Sequence, residues 1–243
     1  MSFGIAPAPE EFQQRIHDTL TGLPCVEAIA DDILVWGEGD SLDEATKHHE
    51  ENLLRLLNRA REKHLKFNKD KLHLHLPEVT YITHVFADGK VKADPEKIAA
   101  IMEMPTPTKP VELQRFLGMV NYLAKFLPHL STATEPLRRL LDQDSIWSWL
   151  PNHDKAYNDV KPMLSRQPTL RCYDVNVPVT IQCDVSDKGL GAALLQGGQP
   201  VAYASRALTS TEQNYAQIEK EMLAIVFAAG RFDQYVYGTT VKV

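Results

Sequence analysis

The chain has 243 residues, 44% of them hydrophobic and 24% charged, and carries a formal net charge of −6. That length accommodates one large or two small domains with real cores, and the composition is that of ordinary globular protein rather than a disordered or fibrous chain. The absence of an eighteen-residue apolar run excludes a membrane-spanning helix, the first residues lack the basic-then-apolar pattern of a signal peptide, and the acidic balance offers no general attraction to phosphate.

Residues 7–20 read as a short helix, with proline near its start and Phe12, Ile16 and Leu20 on one stripe. Thr21-Gly22-Leu23-Pro24 stops it. Residues 25–29 and 33–36 are short apolar runs separated by Ala30-Asp31-Asp32, a hairpin with carboxylates at its tip. Ser41, followed by Asp43 and Glu44, is a helix N-cap, and the helix runs to about His64 with Leu53, Leu54, Leu56 and Leu57 as its apolar stripe. Residues 65–68 and 72–76 are candidate strands, and residues 79–86 and 89–92 form a further hairpin turning at Asp88-Gly89. Helices follow over 95–104, 111–126 and 135–141, with a linking unit at Trp147-Ser148-Trp149 and residues 152–164. From Pro178 the pattern changes to strands over 179–185, 189–195 and 200–205, a long helix over 211–235, and a strand beginning at Thr239. This places a boundary between Leu164 and Pro178, with mixed α/β material on both sides. The three cysteines, Cys25, Cys172 and Cys183, are too scattered for a disulfide framework and imply a reducing, intracellular setting, cytoplasm or nucleus.

Charge is unevenly spread. Residues 38–51 hold six acids against Lys47, whereas residues 59–71 hold Arg59, Arg61, Lys63, Lys66, Lys69 and Lys71 against Glu62 and Asp70. Local sign matters more than the sum for a groove that binds a polyanion, although solvated helix faces account for most such runs.

Asp31-Asp32 is the first constellation with chemical content. Flanked by Val26, Ile29, Ile33, Leu34 and Val35, the pair is expected at a tight turn between buried strands, where carboxylates are costly unless used. Hard oxygen donors suit Mg²⁺, and two-metal phosphoryl transfer needs carboxylates converging on one point. A polar hairpin tip is the competing reading.

Several ordered motifs resemble the reverse transcriptase of gypsy-type retrotransposon Pol polyproteins. Met1-Ser2-Phe3-Gly4-Ile5, Ala6-Pro7 and Phe12-Gln13 resemble its MPFGL…AP…FQ stretch, and residues 26–37 its YxDDILV hairpin. KFNKDK at 66–71 is similar to its LKLNxxKC segment, and Tyr81-Ile82-Thr83-His84 to the YLGH strand that supports the primer end. Arg115-Phe116-Leu117-Gly118, Asn121-Tyr122 and Lys125-Phe126-Leu127-Pro128 resemble its RFLGLxNYYRRFIP thumb helix, with Glu135-Pro136-Leu137 and Trp147 following in order. Residues 183–192 resemble DASxxGLGAVL, the first strand and turn of the family's RNase H, and Tyr203-Ala204-Ser205-Arg206 and the 214–224 segment match YASR and NYxxxEKELLA.

The resemblance spans essentially the whole chain and implies an α/β (α+β) architecture. It comprises the rear of a palm over 1–92, a helical thumb and connection over 93–170, and the front of an RNase H-like domain over 171–243. It implies RNA-directed DNA synthesis and cleavage of RNA in a hybrid, with Mg²⁺ held by Asp31 and Asp32 in one site and by Asp184 and Glu221 in the other. The partner is then a template–primer duplex or RNA–DNA hybrid, touched by the 59–71 cations, Arg115 and Lys125, with Tyr81, Thr83 and His84 supporting the primer. Glu219, two positions from Glu221, falls off that helical face and is solvated or supporting.

Departures qualify these expectations. Ile29 stands for the YxDD tyrosine, Thr83 for the YLGH glycine and Leu72 for the LNxxKC cysteine. The family also needs a third palm carboxylate expected upstream of Met1 and an RNase H aspartate expected just after Val243, so the chain alone is expected neither to extend a primer nor to cleave a hybrid. The alternative class is a catalytically inactive remnant or a host-adopted nucleic-acid-binding module. His48-His49 and the pair His73 and His75, expected on one side of a strand, lack a Cys pair or third ligand at fixed spacing for zinc. Gly189-Leu190-Gly191 and Gly197-Gly198 are turns rather than phosphate cradles, and Trp147-Ser148-Trp149 reads as packing in its linking unit, with base stacking as the alternative.

Overall fold

A computed structural model describes residues 7–142, 145–166 and 168–243. The stretch Met1-Ser2-Phe3-Gly4-Ile5, part of the family resemblance, lies outside the described residues. The chain divides into two compact units, Met1–Pro77 and Glu78–Val243.

In the first unit, α1 (Ala8–Leu20) carries Glu10 and Glu11 in its first turn and buries Ile16 and Leu20; Phe12 is exposed, so the buried stripe is shorter than its spacing suggests. Strands β1 (Val26–Ile29) and β2 (Asp32–Val35) pair antiparallel, with Ala28 opposite Ile33 and Ile29 opposite Asp32. Helix α2 (Leu42–Glu62) is capped as expected: the Ser41 hydroxyl accepts from the Glu44 amide at 3.2 Å. Its buried face is Asn52, Leu56 and Ala60, whereas Leu54 and Leu57 are exposed. The i, i+4, i+8 row is what α1 and the hairpin cover, through Ile16, Leu20, Ala28 and Leu56; the leucine-rich run is too wide for that narrow face.

The strands expected over 65–68 and 72–76 are absent. In their place is a single 3₁₀ turn, Lys69–Lys71, capped by the Asn68 side chain accepting from the Asp70 amide. Leu72, Leu74 and Leu76 are all exposed, and His75 takes a left-handed φ of 53°. Alternation supplies a face but not a partner strand, and without one the extended backbone gains nothing. The expectation that His73 and His75 share one side of a strand fails with it.

The second unit opens on an antiparallel sheet ordered β3 (Val79–Tyr81), β4 (His84–Ala87), β5 (Lys90–Ala93) and β6 (Leu170–Arg171). The single run expected over 79–86 is broken by a two-residue turn at Ile82-Thr83, both at positive φ (47° and 59°). Asp88-Gly89 repeats this geometry at the predicted position (47° and 65°). Four helices follow: α3 (Pro95–Met102), its N-terminus capped by Asp94 accepting from the Glu96 amide, α4 (Pro110–Tyr122), α5 (Leu130–Arg139) and α6 (Pro151–Ser165). The predicted 111–126 helix ends at Tyr122 and continues as a 3₁₀ turn over Ala124–Phe126. Leu113, Phe116, Leu123, Phe126, Leu137, Val160 and Leu164 are wholly buried between them. Phe116 packs on Tyr157 with centroids 4.5 Å apart, and the Tyr157 hydroxyl donates to Met104 O at 2.7 Å; burial raises its pKa.

A second sheet is ordered β10 (Val241–Lys242), β7 (Val179–Val185), β8 (Gly189–Gln196) and β9 (Gln199–Ala207), antiparallel except that β10 runs parallel to β7. The helix expected over 211–235 is interrupted. A 3₁₀ turn over Glu212–Asn214 leads through extended Tyr215 and Ala216 into α7 (Gln217–Arg231) and the short α8 (Asp233–Val236). Glu219 accepts from the Ala216 amide at 2.8 Å and so caps α7. Helix α5 sits on this sheet: the Ser131 amide donates to Ser205 Oγ at 2.9 Å, and a Cβ on Gly189 would lie 3.0 Å from Thr132 Oγ1.

Candidate functional site

Asp31 and Asp32 stand where the sequence puts them, at the β1–β2 tip, with Ala30 at a left-handed φ of 52°. The tip is held from outside the hairpin. Gln13 on α1 donates from Nε2 to Ala28 O at 2.8 Å and accepts from the Ala30 amide through Oε1 at 2.7 Å. The expectation of carboxylates trapped between buried strands is not met: both acids are exposed, and Ile29 is 45% exposed. A two-stranded ribbon has a single packed face, taken by Ala28 with Val26, Ile33 and Val35, and leaves the other open. No hydrogen bond or ion pair engages either carboxylate among the described residues. Two adjacent oxygen donors with nothing to neutralise them fit a hard divalent cation.

The cations of 59–71 are not equivalent. Arg59 is committed to structure: its guanidinium donates to Thr19 O at 2.8 Å and Thr21 O at 3.2 Å, closing the C-terminus of α1. Arg61, Lys63, Lys66, Lys69 and Lys71 are exposed. Arg115 is exposed on α4. Lys125 is half-buried, its Nζ 5.1 Å from the Phe126 ring centroid, and burial lowers its pKa.

Tyr81 and His84 flank the Ile82-Thr83 turn, paired with each other across it. Thr83 Oγ1 hydrogen-bonds the Tyr122 hydroxyl, which also donates to Ile82 O at 3.3 Å. His84 Nδ1 lies 2.7 Å from Ile82 O, and its ring sits among Phe86, Tyr122 and Phe126. Burial lowers the His84 pKa; the Ile82 carbonyl works against that, and Lys125 adds to it. Thr83, in place of a glycine, therefore ties the turn to α4 through its hydroxyl.

Asp184 on β7 and Glu221 on α7 line one open cleft of about 540 Å³, together with Gln182, Gln217 and Val243. Gln217 Nε2 donates to Glu221 Oε1 at 3.3 Å. His129 Nδ1 approaches Asp184 Oδ2 at 3.7 Å, from a left-handed φ of 56° at the start of α5 and above Gly191. A strand acid and a helix acid thus line the same cleft. Nearby, Arg206 holds Glu212 through two hydrogen bonds of 2.8 and 3.0 Å, and that pairing lowers the Glu212 pKa to about 2.

Gln13, Tyr122, His129 and Gln217 are site residues that sequence reasoning left out. The first two lie inside motifs the resemblance quotes, FQ and Asn121-Tyr122, but only the fold shows the backbone groups they meet. For His129 the sequence carries no local sign, because α5 begins at Leu130, five residues before the helix expected over 135–141.

The whole chain has relatives of this architecture. Residues 149–243 match the family described as an RNase H-like domain found in reverse transcriptase. The retrovirus-related Pol polyprotein from transposon opus of Drosophila melanogaster is 36% identical over 262 residues, covering 100% of this chain and 25% of its own length. The transposon Tf2-3 polyprotein of Schizosaccharomyces pombe is 32% identical over 246 residues, covering 98% of this chain and 18% of its own. The chain thus spans about a quarter or less of these relatives. The foamy viral protease-reverse transcriptase in complex with dsDNA superimposes with a TM-score of 0.87 at 22% identity, over 99% of this chain and 50% of that one. In complex with an RNA/DNA hybrid the same enzyme gives 0.83 at 22% identity, over 99% and 33%. The fold is that of the foamy viral reverse transcriptase, residues 149–243 match the RNase H-like domain model, and the chain is similar along its length to one segment of retrotransposon Pol polyproteins.

Proposed function

We propose that this chain supplies the metal-binding hairpin and thumb of an RNA-directed DNA polymerase, together with two acids of an RNA–DNA hybrid ribonuclease. Residues 1–92 correspond to palm, 93–170 to thumb and connection, and 171–243 to the RNase H-like domain. The observation that carries this reading is the convergence of Asp184 and Glu221, from different elements, on one open cleft. Mg²⁺ held by Asp31 and Asp32, and by Asp184 and Glu221, would polarise the phosphate and stabilise the attacking and leaving oxygens. The chain's own groups orient that chemistry: Gln13 fixes the tip that presents Asp31, and Gln217 holds the Glu221 carboxylate.

A template–primer or hybrid duplex is the partner, held in an intracellular compartment. Arg61, Lys63, Lys66, Lys69, Lys71 and Arg115 are exposed and meet phosphates, which position a duplex without reading its sequence. Arg59 and Lys125 contribute less, because their charges are engaged within the fold. The Ile82-Thr83-His84 turn, braced by Tyr122, supports the primer end. A second reading is a chain that binds nucleic acid without turnover; the exposed cations support it independently of either acid pair. Affinity for an RNA–DNA hybrid should fall steeply with salt. Binding that is absent, or indifferent to salt, would falsify the phosphate-binding assignment.

A further inference from the structure

Cys25, Glu38 and His48 are far apart in sequence, yet the fold gathers one ligand atom from each within 4.8 Å of the others. Cys25 immediately precedes β1, Glu38 follows β2, and His48 lies on α2, so the cluster sits at the open base of the hairpin whose tip is Asp31-Asp32. Backbone contacts hold it in shape. The Trp36 amide donates to Cys25 O at 3.1 Å, and buried Asn52 donates to Trp36 O at 3.1 Å. Gly37 lets this segment lie directly on α2, since a Cβ there would run into Ala45 O and the His49 amide.

We propose that Cys25, Glu38 and His48 form a zinc-class metal site that clasps the base of the Asp31-Asp32 hairpin to α2. A mixed sulfur, nitrogen and oxygen set is the donor chemistry of Zn²⁺ and Co²⁺ rather than Mg²⁺, and three protein ligands leave a fourth position for water. Tetrahedral Zn²⁺ holds such donors roughly 3.5 Å apart, so side-chain rotation that closes the cluster by about 1 Å suffices. His48 already has the outer contact such ligands use. Its Nδ1 is 3.2 Å from Glu38 O, which accepts the Nδ1 proton in one tautomer and leaves the Nε2 lone pair for a metal. In the other tautomer Nδ1 accepts from the Glu38 amide at 3.1 Å, so metal binding selects between two contacts already in place. The Trp36 indole N–H donates to Glu38 Oε1 at 3.1 Å and orients the carboxylate.

The full chain, stripped with a chelator and titrated with Co²⁺, should develop a thiolate-to-cobalt charge-transfer band that Zn²⁺ abolishes and Mg²⁺ does not. Cys25→Ser should remove the band, and Glu38→Gln should weaken Zn²⁺ binding at least tenfold with the far-UV circular dichroism unchanged. Independently of any variant, saturating Zn²⁺ should slow alkylation of Cys25 while leaving Cys172 and Cys183 unaffected. A band that persists in Cys25→Ser, or Cys25 alkylation indifferent to Zn²⁺, would overturn the assignment.

Discussion

The Gln13 carboxamide spans the backbone of the residues on either side of Ile29, donating to Ala28 O at 2.8 Å and accepting from the Ala30 amide at 2.7 Å. A left-handed alanine is uncommon, and this brace offsets its cost. Gln13→Leu removes both bonds while keeping the size of the side chain. Hydrogen exchange at the Ala30 amide should accelerate, and global stability should fall by about 1–2 kcal/mol. Unchanged exchange at Ala30 would show that the hairpin sets its own tip.

Ile82 is a β-branched residue at a φ of 47°, a region that penalises such side chains by about 1–2 kcal/mol. It is 39% exposed, so little apolar burial opposes relief of the strain. Ile82→Asn should therefore stabilise the chain by about 1 kcal/mol in urea unfolding. Equal or lower stability would mean that the isoleucine packs more productively than its exposure implies.

Glu212 titrates far below its ordinary value of 4.5, at about 2, because Arg206 and the Thr209 amide bond its charged form. A carboxylate depressed in the folded state contributes stability that is full above the unfolded value. That contribution is lost as pH falls from 4.5 toward 2. Glu212→Gln should flatten the stability profile across that window and leave its slope near neutrality alone. An unaltered acid limb in pH-dependent unfolding would contradict this.

Phe116 is wholly buried against Tyr157 between α4 and α6. Phe116→Ala should cost about 3–5 kcal/mol in denaturant unfolding, the loss expected where a cavity cannot collapse. A change below 1 kcal/mol would indicate a core that repacks freely.

Any Mg²⁺-dependent primer extension should be lost in Asp31→Asn, and any hybrid cleavage in Asp184→Asn. Turnover that survives those substitutions would place the metal chemistry on other residues.

The elements legible in sequence are those whose partners are local. Ser41 caps its own helix, Asp88-Gly89 turns its own hairpin, and residues 179–205 alternate into a meander whose strands pair in order. The errors arise where a long-range partner decides. The 72–76 alternation found no neighbouring strand, and the leucines at 54 and 57 outnumber the surface available to cover them. Asp31, Asp32, Asp184 and Glu221 were legible as residue types in ordered motifs. What holds them (Gln13, Gln217 and His129) was not, because a glutamine facing a backbone carbonyl has no periodicity.

The return of the chain to β5 through β6 has a practical bearing on how the protein is cut. Lys90 and Val91 are paired by Arg171 and Leu170, residues some eighty positions later. Ending an expression fragment after α6 would separate those partners and bare a row of amide and carbonyl groups on a short strand. Such an edge recruits any extended segment that meets it, including its own copy in a neighbouring molecule. A fragment stopping at Ser165 should therefore self-associate in proportion to its concentration, whereas one that keeps Leu170 and Arg171 carries its own cover.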